Sequence, residues 1–458
     1  MLDKEIIMSL FKACDIRGLA DTELTNDVVI SIAKAIGVKL TGKKVVVGGD
    51  FRLSTARLKE IVINELVASG CAVIDVGNIA TPMFYYALEV SAADGGIMVT
   101  ASHNPPEYNG FKLVLGNMPV SEEDIHEIAV LVEQNAHIEG NGSLKKLDVV
   151  ADYIQQTAGK AQTGKLKVVI DAGNGAVSDF APALYRACGY EVVELFCQTD
   201  GMFPNRPPNP AYPQNLKKLG DKIKEVGADI GIGFDGDGDR AGFVDENGRA
   251  VDNDDILVLL SRNYLEAKPG NIIYDAKCSM VVPEQIAEAG GKPIMTRAGH
   301  TFCKRKFISE KALFAGEISG HFFFCELGYD DGMFAGLKMC EYITRHGKLS
   351  TLIDAIPNYI LTTEARVRYL PNDKEAVLAK VAENLSDYKT NLIDGVRLEF
   401  ADGWGMIRSS VTEPIFTLRF EAKTKERLSE IQTLLVNSLP EIIKDDVAKE
   451  VAKMNGAM

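Results

Sequence analysis

The sequence has no apolar run long enough to cross a bilayer, no basic start followed by a small-residue cleavage site, and no C-x-x-C pair. A membrane-spanning helix needs about 20 consecutive apolar residues, and a secretory leader needs a cationic start. Met1 to Leu10 instead carries Asp3, Lys4 and Glu5 ahead of a short apolar stretch. The chain therefore reads as cytoplasmic. Its eight cysteines (Cys14, Cys71, Cys188, Cys197, Cys278, Cys303, Cys325 and Cys340) are scattered, several within apolar segments. Buried reduced thiols are expected, with neither a disulfide framework nor a zinc site. Positive charge is also short: 50 Lys and Arg stand against 64 Asp and Glu, a formal net charge of −14. A field of that sign repels nucleic acid and anionic lipid, so neither partner is expected. A local cluster of Arg and Lys could still hold a phosphate.

What is present is the material of an ordinary soluble globular protein. The 458 residues are 46% hydrophobic and 25% charged, enough for three or four domains with cores of their own. Short apolar runs alternate with helical patterns. KKVVVGGD (43–50) reads as a strand, followed by Leu58, Ile61, Val62 and Leu66 at helical spacing. CAVIDVG (71–77), a helical TPMFYYALEV (81–90) and GGIMVTAS (95–102) continue the β-α-β order of a largely parallel sheet covered by helices. The same grammar returns at KLKVVIDAGNGAV (165–177) and at NIIYDAKCSM (271–280). VVVGGD, VVIDAG and IIYDAK thus look like corresponding first strands of three related units, a sign of duplication. After Thr362 the order becomes strand, helix, strand, strand, helix. The expected architecture is three related mixed α/β domains (1–147, 148–251 and 252–362) plus a C-terminal α+β domain (363–458).

In open α/β sheets ligands bind beyond the carboxyl ends of strands, so the chemistry is sought there. After GGIMVT, a turn stiffened by Pro105 and Pro106 presents Ser102. After ADIGIGF, Asp235, Asp237 and Asp239 alternate with glycines and can fold round one hard cation; oxygen-only ligands select Mg²⁺ or Ca²⁺ over zinc. An EF-hand is excluded although Glu246 falls at the twelfth position. Arg240 takes the place that requires glycine, and a strand precedes the loop. After ALFAG, the loop with Glu317, Ser319 and His321 suits sugar hydroxyls. Near the end, Arg408, Ser409, Ser410 and Thr412 put a guanidinium beside hydroxyls, a phosphate-type cradle. Each loop closes a different domain, so four domains can meet round one cleft.

On these motifs the chain resembles the α-D-phosphohexomutase superfamily, and within it the bacterial phosphomannomutase/phosphoglucomutase group. The resemblance runs the whole length: TASHNPPEYNGFK (100–112) is similar to the phosphoserine loop, FDGDGDR (234–240) to the metal loop, GEISGH (316–321) to the sugar loop and RSSVTEP (408–414) to the phosphate loop. It implies four domains round a central cleft, the last of them TATA-binding-protein-like. It implies that Ser102 carries the phosphoryl group, and that Asp235, Asp237 and Asp239 hold one Mg²⁺ together with a phosphoserine oxygen. Arg17, Lys112, Arg240 and His300 would line the transfer site, Glu317, Ser319 and His321 would bind the sugar, and Lys277 would be a further cleft lysine. Arg408, Ser410 and Thr412 would hold the phosphate that is not being transferred. Two departures stand out. Cys14 in KACDIRG replaces a common tyrosine, and Val411 replaces the glycine or asparagine usual in the phosphate loop.

The implied reaction exchanges hexose 1-phosphate and hexose 6-phosphate through hexose 1,6-bisphosphate, by a monomer or homodimer acting on phosphosugars. Lys112 and His300 are the candidate proton carriers, Lys112 because desolvation near other cations would lower its pKa. The alternatives are a phosphoglucosamine mutase, a Mg²⁺-dependent phosphatase and a non-catalytic phosphosugar-binding protein.

Overall fold

The computed structural model describes residues 8–116, 118–371, 373–410 and 414–457, the side chains of 456 and 457 excepted. The strands of the first unit are β1 (Ile16–Leu19), β2 (Lys44–Gly49), β3 (Ala72–Asn78), β4 (Gly95–Val99), β5 (Tyr108–Leu115), β6 (Met118–Pro119) and β7 (Ser143–Lys146). Those of the second are β8 (Lys167–Asp171), β9 (Glu191–Leu195), β10 (Ile230–Phe234), β11 (Ala241–Asp245) and β12 (Ala250–Val251). The third holds β13 (Asn271–Asp275), β14 (Lys292–Thr296), β15 (Phe314–Gly316), β16 (Phe322–Phe324) and β17 (Tyr329–Asp330).

The three sheets share one strand order. In each, a central strand (β2, β8 or β13) pairs in parallel with the next strand on one side (β3, β9 or β14) and with a third on the other (β4, β10 or β15). The third strand then meets an antiparallel return, β5, β11 or β16. The three central strands are VVVGGD, VVIDAG and IIYDAK, which the sequence singles out as equivalent. They can be continuous apolar runs because helices cover both faces of the sheet: Val45, Val46 and Val47 are all fully buried. The returns are less visible in the sequence. Residues 100–112, read there as one loop, run into β5, so Lys112 sits on a strand that lies antiparallel to β4.

The C-terminal unit is an antiparallel sheet in the order β18 (Ile360–Leu361), β23 (Ile415–Ala422), β22 (Gly403–Ser409), β21 (Val396–Phe400), β20 (Thr390–Asn391), with β19 (Ala365–Arg368) also on β23. Helices Lys374–Asn384, Lys425–Asn437 and Glu441–Ala457 accompany it; the last was not expected. The molecule is thus a four-domain α/β architecture.

The cores show which joints are tight. One hydrophobic cluster runs continuously through the first three units, from Val46 and Phe84 through Tyr185 and Phe234 to Phe314 and Phe334. The C-terminal unit has a separate core. It meets the third unit through a small cluster of Ala276, Met280, Trp404 and Met406. The cysteines are all free thiols, but Cys325 is exposed and Cys14 and Cys197 are only half-buried. Cys325 falls just past β16, where the chain turns outward. Among the described residues no helix is long and apolar enough to cross a membrane.

Candidate active site

Ser102 is placed by buried polar groups at the ends of β2 and β4. Asp50 accepts hydrogen bonds from the hydroxyls of Thr55 (2.6 Å) and Thr100 (2.8 Å), and Thr100 Oγ1 accepts from the Ser102 amide at 2.9 Å. Arg52, buried beneath the turn, spends all five N–H groups there. Its Nε donates to Asp50, Nη1 to the carbonyls of Pro105 and Tyr108, and Nη2 to those of Ser102 and Asn104. Ser102 has φ of 50°, a left-handed conformation that costs a non-glycine residue about 1–2 kcal/mol. The Arg52 fork holds it there.

The metal-type loop follows β10, whose five residues are all buried. Gly236 lets it reach the serine: a Cβ there would lie 2.4 Å from the Ser102 carbonyl oxygen. Asp235, Asp237 and Asp239 are completely buried. Asp235 Oδ1 accepts from the amides of Gly238 (2.9 Å) and Arg240 (3.2 Å), and Thr81 Oγ1 donates to Asp237 Oδ2 at 2.6 Å. Ser102 Oγ donates to Asp235 Oδ2 at 2.9 Å.

One oxygen from each of the three carboxylates lies within 4.8 Å of the other two. Asp237 Oδ1 and Asp239 Oδ1 have no hydrogen-bond partner among the described residues. Lys112 Nζ sits 2.7 Å from Asp237 Oδ2 and also donates to Asp239 Oδ2. Lys112 faces Asp237 and Asp239, and Arg240 Nε lies 3.8 Å from Asp235 Oδ2, so three buried carboxylates stand against two cations. Burial, then Asp239 and Asp237, push the Asp235 carboxyl well above its ordinary range. Burial opposes ionisation of Asp239, yet Lys112 and His321 hold its pKa low. An all-oxygen donor set with two orphaned buried oxygens fits a hard divalent cation.

Around the serine the basic groups gather as expected, with one correction. Arg17 on β1 donates to Asn104 Oδ1 at 2.5 Å and pairs with Asp15. Arg240 donates from Nε to His321 Nε2 at 2.8 Å. His103 was not singled out from the sequence, yet its ring lies 3.3 Å from Ser102 Oγ. Burial, then Arg240 and Arg17, push its pKa well down, which favours the neutral ring. The lowered pKa expected of Lys112 is not found. Burial does disfavour its charge, but Asp237 and Asp239 outweigh burial and raise the pKa. In this arrangement Lys112 is a fixed cation.

The far wall comes from the third unit. Glu317 Oε1 accepts from the Gly299 amide at 3.2 Å and Oε2 from Ser319 Oγ at 2.9 Å. Burial, then Asp275, raise its carboxyl to about 7. His321 joins this wall to the metal loop, since the Ala241 amide donates to the Gly320 carbonyl at 3.0 Å. His300 opens helix His300–Ser309 and contacts Asp330 Oδ1 at 2.9 Å.

From the C-terminal unit, Arg408 reaches in from β22 and donates from Nε to Asp394 at 2.8 Å. Asp394 also accepts from the Ala298 amide at 3.1 Å. The Ser410 amide donates to the Ile415 carbonyl at 2.9 Å. Thr412 and Val411 lie outside the described residues.

All four units thus line one cleft of about 320 Å³. Ser102, Arg17, Lys112, Arg240, His300 and Lys277 face it, and so do Glu317, Ser319, His321, Arg408 and Ser410. Cys14 lies in its wall, where burial pushes the thiol to about 12. Glu246 takes no part: it accepts from Ser350 Oγ at 2.5 Å. Arg52, Asp330 and Asp394 were missed. Each acts through another polar group, and each partner is distant in sequence or lies in an unremarked turn.

Comparison with known proteins agrees with this geometry. The chain matches the phosphoglucomutase/phosphomannomutase alpha/beta/alpha domain I over residues 8–139, domain II over 148–248, domain III over 252–359 and the C-terminal domain over 364–438. It is 38% identical over 441 residues to a phosphomannomutase/phosphoglucomutase of Pseudomonas aeruginosa, covering 94% of this chain and 95% of that one. It is 38% identical over 455 residues to a phosphoglucomutase of Neisseria gonorrhoeae, covering 96% and 99%. A crystal structure of a phosphoglucomutase/phosphomannomutase family protein from Burkholderia thailandensis superposes with a TM-score of 0.87 at 37% identity, covering 96% and 97%.

Proposed function

The chain belongs to the phosphoglucomutase/phosphomannomutase family of α-D-phosphohexomutases, and we propose that it interconverts hexose 1-phosphates and hexose 6-phosphates through a phosphoserine at position 102. The observation that carries this is the hydroxyl of Ser102 at 2.9 Å from Asp235, at the floor of a cleft built from four units. Supporting limits for those units are 1–147, 148–251, 252–362 and 363–458.

Phosphoryl transfer asks for placement and for neutralisation of oxygen charge more than for covalent machinery. Asp235, Asp237, Asp239 and a phosphoserine oxygen would hold one Mg²⁺, which supplies positive charge where the transferring oxygens gather charge. Arg17, Arg240 and Lys112 add fixed cations around Ser102. Glu317 and Ser319 take the sugar hydroxyls with His321 alongside, Arg408, Ser410 and Thr412 take the distal phosphate, and Lys277 is a further cleft lysine. His300 is the candidate proton carrier, since Lys112 is held cationic.

The phosphoryl leaves Ser102 for a free hydroxyl of the bound monophosphate. The resulting hexose 1,6-bisphosphate turns round and returns its other phosphoryl to Ser102. The separate core of the C-terminal unit lets it move as a body over the cleft and keep water out. A monomer or homodimer working in the cytoplasm on free phosphosugars completes the proposal; the acidic surface and free thiols accord with it.

The test is a set of initial rates on glucose, mannose and glucosamine 1-phosphates, with free phosphate measured in parallel. Isomerisation of the first two with little free phosphate is expected. Preference for the glucosamine compound would make the chain a phosphoglucosamine mutase, and stoichiometric phosphate release would make it a phosphatase.

A further inference from the structure

Three histidines line the cleft, His103, His300 and His321, and one carboxylate holds the last two. Asp330, fully buried at the end of β17, places Oδ1 2.9 Å from His300 Nε2 and Oδ2 3.0 Å from His321 Nδ1. The two rings lie 4.9 Å apart between centroids. β17 pairs antiparallel with β16, Asp330 opposite Phe323, so the carboxylate is fixed by the sheet and not by a mobile loop.

The proton positions follow from the partners. Arg240 is a permanent cation without acceptor capacity, and its Nε lies 2.8 Å from His321 Nε2. His321 Nε2 must therefore offer a lone pair, its proton sits on Nδ1, and that N–H donates to Asp330. On His300 the arrangement is reversed. Nε2 faces the ionised carboxylate, an acceptor, so Nε2 carries the proton and the lone pair of the neutral ring is on Nδ1. His300 lines the cleft. One carboxylate thus selects opposite tautomers in two adjacent histidines. The other polar groups at this point do not compete for the role. Tyr85 Oη is 3.4 Å from His300 Nε2, Lys304 Nζ lies 3.5 Å over the Tyr85 ring, and Asp239 Oδ1 is 3.7 Å from His321 Nδ1.

We propose that Asp330 is a positioning residue for the phosphoryl transfer, fixing His321 as the Nδ1–H tautomer and His300 as the Nε2–H tautomer so that both rings turn their lone pairs away from it, toward Arg240 and toward the cleft. The proposal deepens the mutase function given above and rests on it for its kinetic consequence, but not for the tautomers. Without the carboxylate either ring can move its proton to the other nitrogen. That would set an N–H against the Arg240 guanidinium, or an N–H where a sugar hydroxyl must lose its proton.

The test is ¹⁵N NMR of histidine-labelled full-length chain, with kinetics on glucose 1-phosphate alongside. In the unaltered chain the shifts should report Nδ1–H for His321 and Nε2–H for His300; the opposite tautomer on either ring overturns the proposal. Asp330→Asn keeps the shape but offers one acceptor and one donor, so one of the two rings must switch. The expected result is that switch, with kcat lower by roughly 10²–10⁴-fold and KM changed less than about threefold. A folded Asp330→Asn protein with unswitched rings, or with kcat within about threefold of normal, overturns it. Asp330→Glu retains two acceptors and should keep both tautomers, and a switched ring in that variant counts against the proposal whether or not Asp330→Asn folds. Absence of turnover in the unaltered chain would sink the mutase function alone, because the tautomers are read without substrate.

Discussion

Ser102 and Asp235 stand 133 positions apart in the chain, yet the serine hydroxyl donates to the aspartate at 2.9 Å. Two turns on different sheets make this contact, and each is shaped for it. Ser102 adopts a left-handed conformation, and Gly236 leaves space in which a Cβ would collide with the Ser102 carbonyl. The approach brings the proposed nucleophile to a cation-type site whose carboxylates face Lys112 and Arg240.

Arg52 is the support of that turn. Replacing it with Met would leave the carbonyls of Ser102, Asn104, Pro105 and Tyr108 without their donor and Asp50 without its ion pair. Breaking a buried pair in this way costs about 3–5 kcal/mol. Urea unfolding of Arg52→Met should show a clearly lowered midpoint. Turnover should also fall, because Ser102 loses its fixed conformation; an unchanged midpoint would contradict the assignment.

Lys112 is the cation that Asp237 and Asp239 now hold. Removing its charge should make the same carboxylates bind Mg²⁺ more tightly, by about tenfold if roughly 1.4 kcal/mol of repulsion is relieved. Calorimetric titration of Lys112→Met with Mg²⁺ checks this, and kcat should fall at the same time. Weaker Mg²⁺ binding in that variant would mean that Lys112 helps to build the site instead of competing with the ion.

Glu317 sets an acid limb. Its carboxyl is raised from 4.5 to about 7, first by burial. Below that pH it is protonated and loses acceptor capacity for a sugar hydroxyl; above it the carboxylate form dominates. The value of kcat/KM should therefore fall as pH drops through about 7, and Glu317→Gln should show a lower but flatter profile. An acid limb at the same pH in Glu317→Gln would assign it to another group.

Much of this was legible in the sequence because the informative groups sit at strand ends. The valine runs of β2 and β8 and the isoleucines of β13 are uninterrupted because both sheet faces are covered, and their equivalence is visible as self-similarity. Asp235, Asp237 and Asp239 were found because glycine spacing leaves few uses for three adjacent carboxylates. What escaped depends on partners far along the chain. Arg52 resembles any surface arginine until the turn at 102–108 folds over it. Asp330 is one of two adjacent aspartates whose histidines lie 30 and 9 positions earlier. The charge state of Lys112 was misjudged because the sequence shows its cationic neighbours as readily as its anionic ones. Only the fold places Nζ against Asp237 and Asp239.

The most direct test of the central claim is the intact mass of the purified chain before and after incubation with glucose 1,6-bisphosphate, followed by fragmentation to locate any added group. One phosphoryl group on Ser102, removable by phosphatase and absent from Ser102→Ala, is expected, together with loss of mutase turnover in that variant. Normal turnover by Ser102→Ala, or a phosphoryl group found on another residue, would contradict the account.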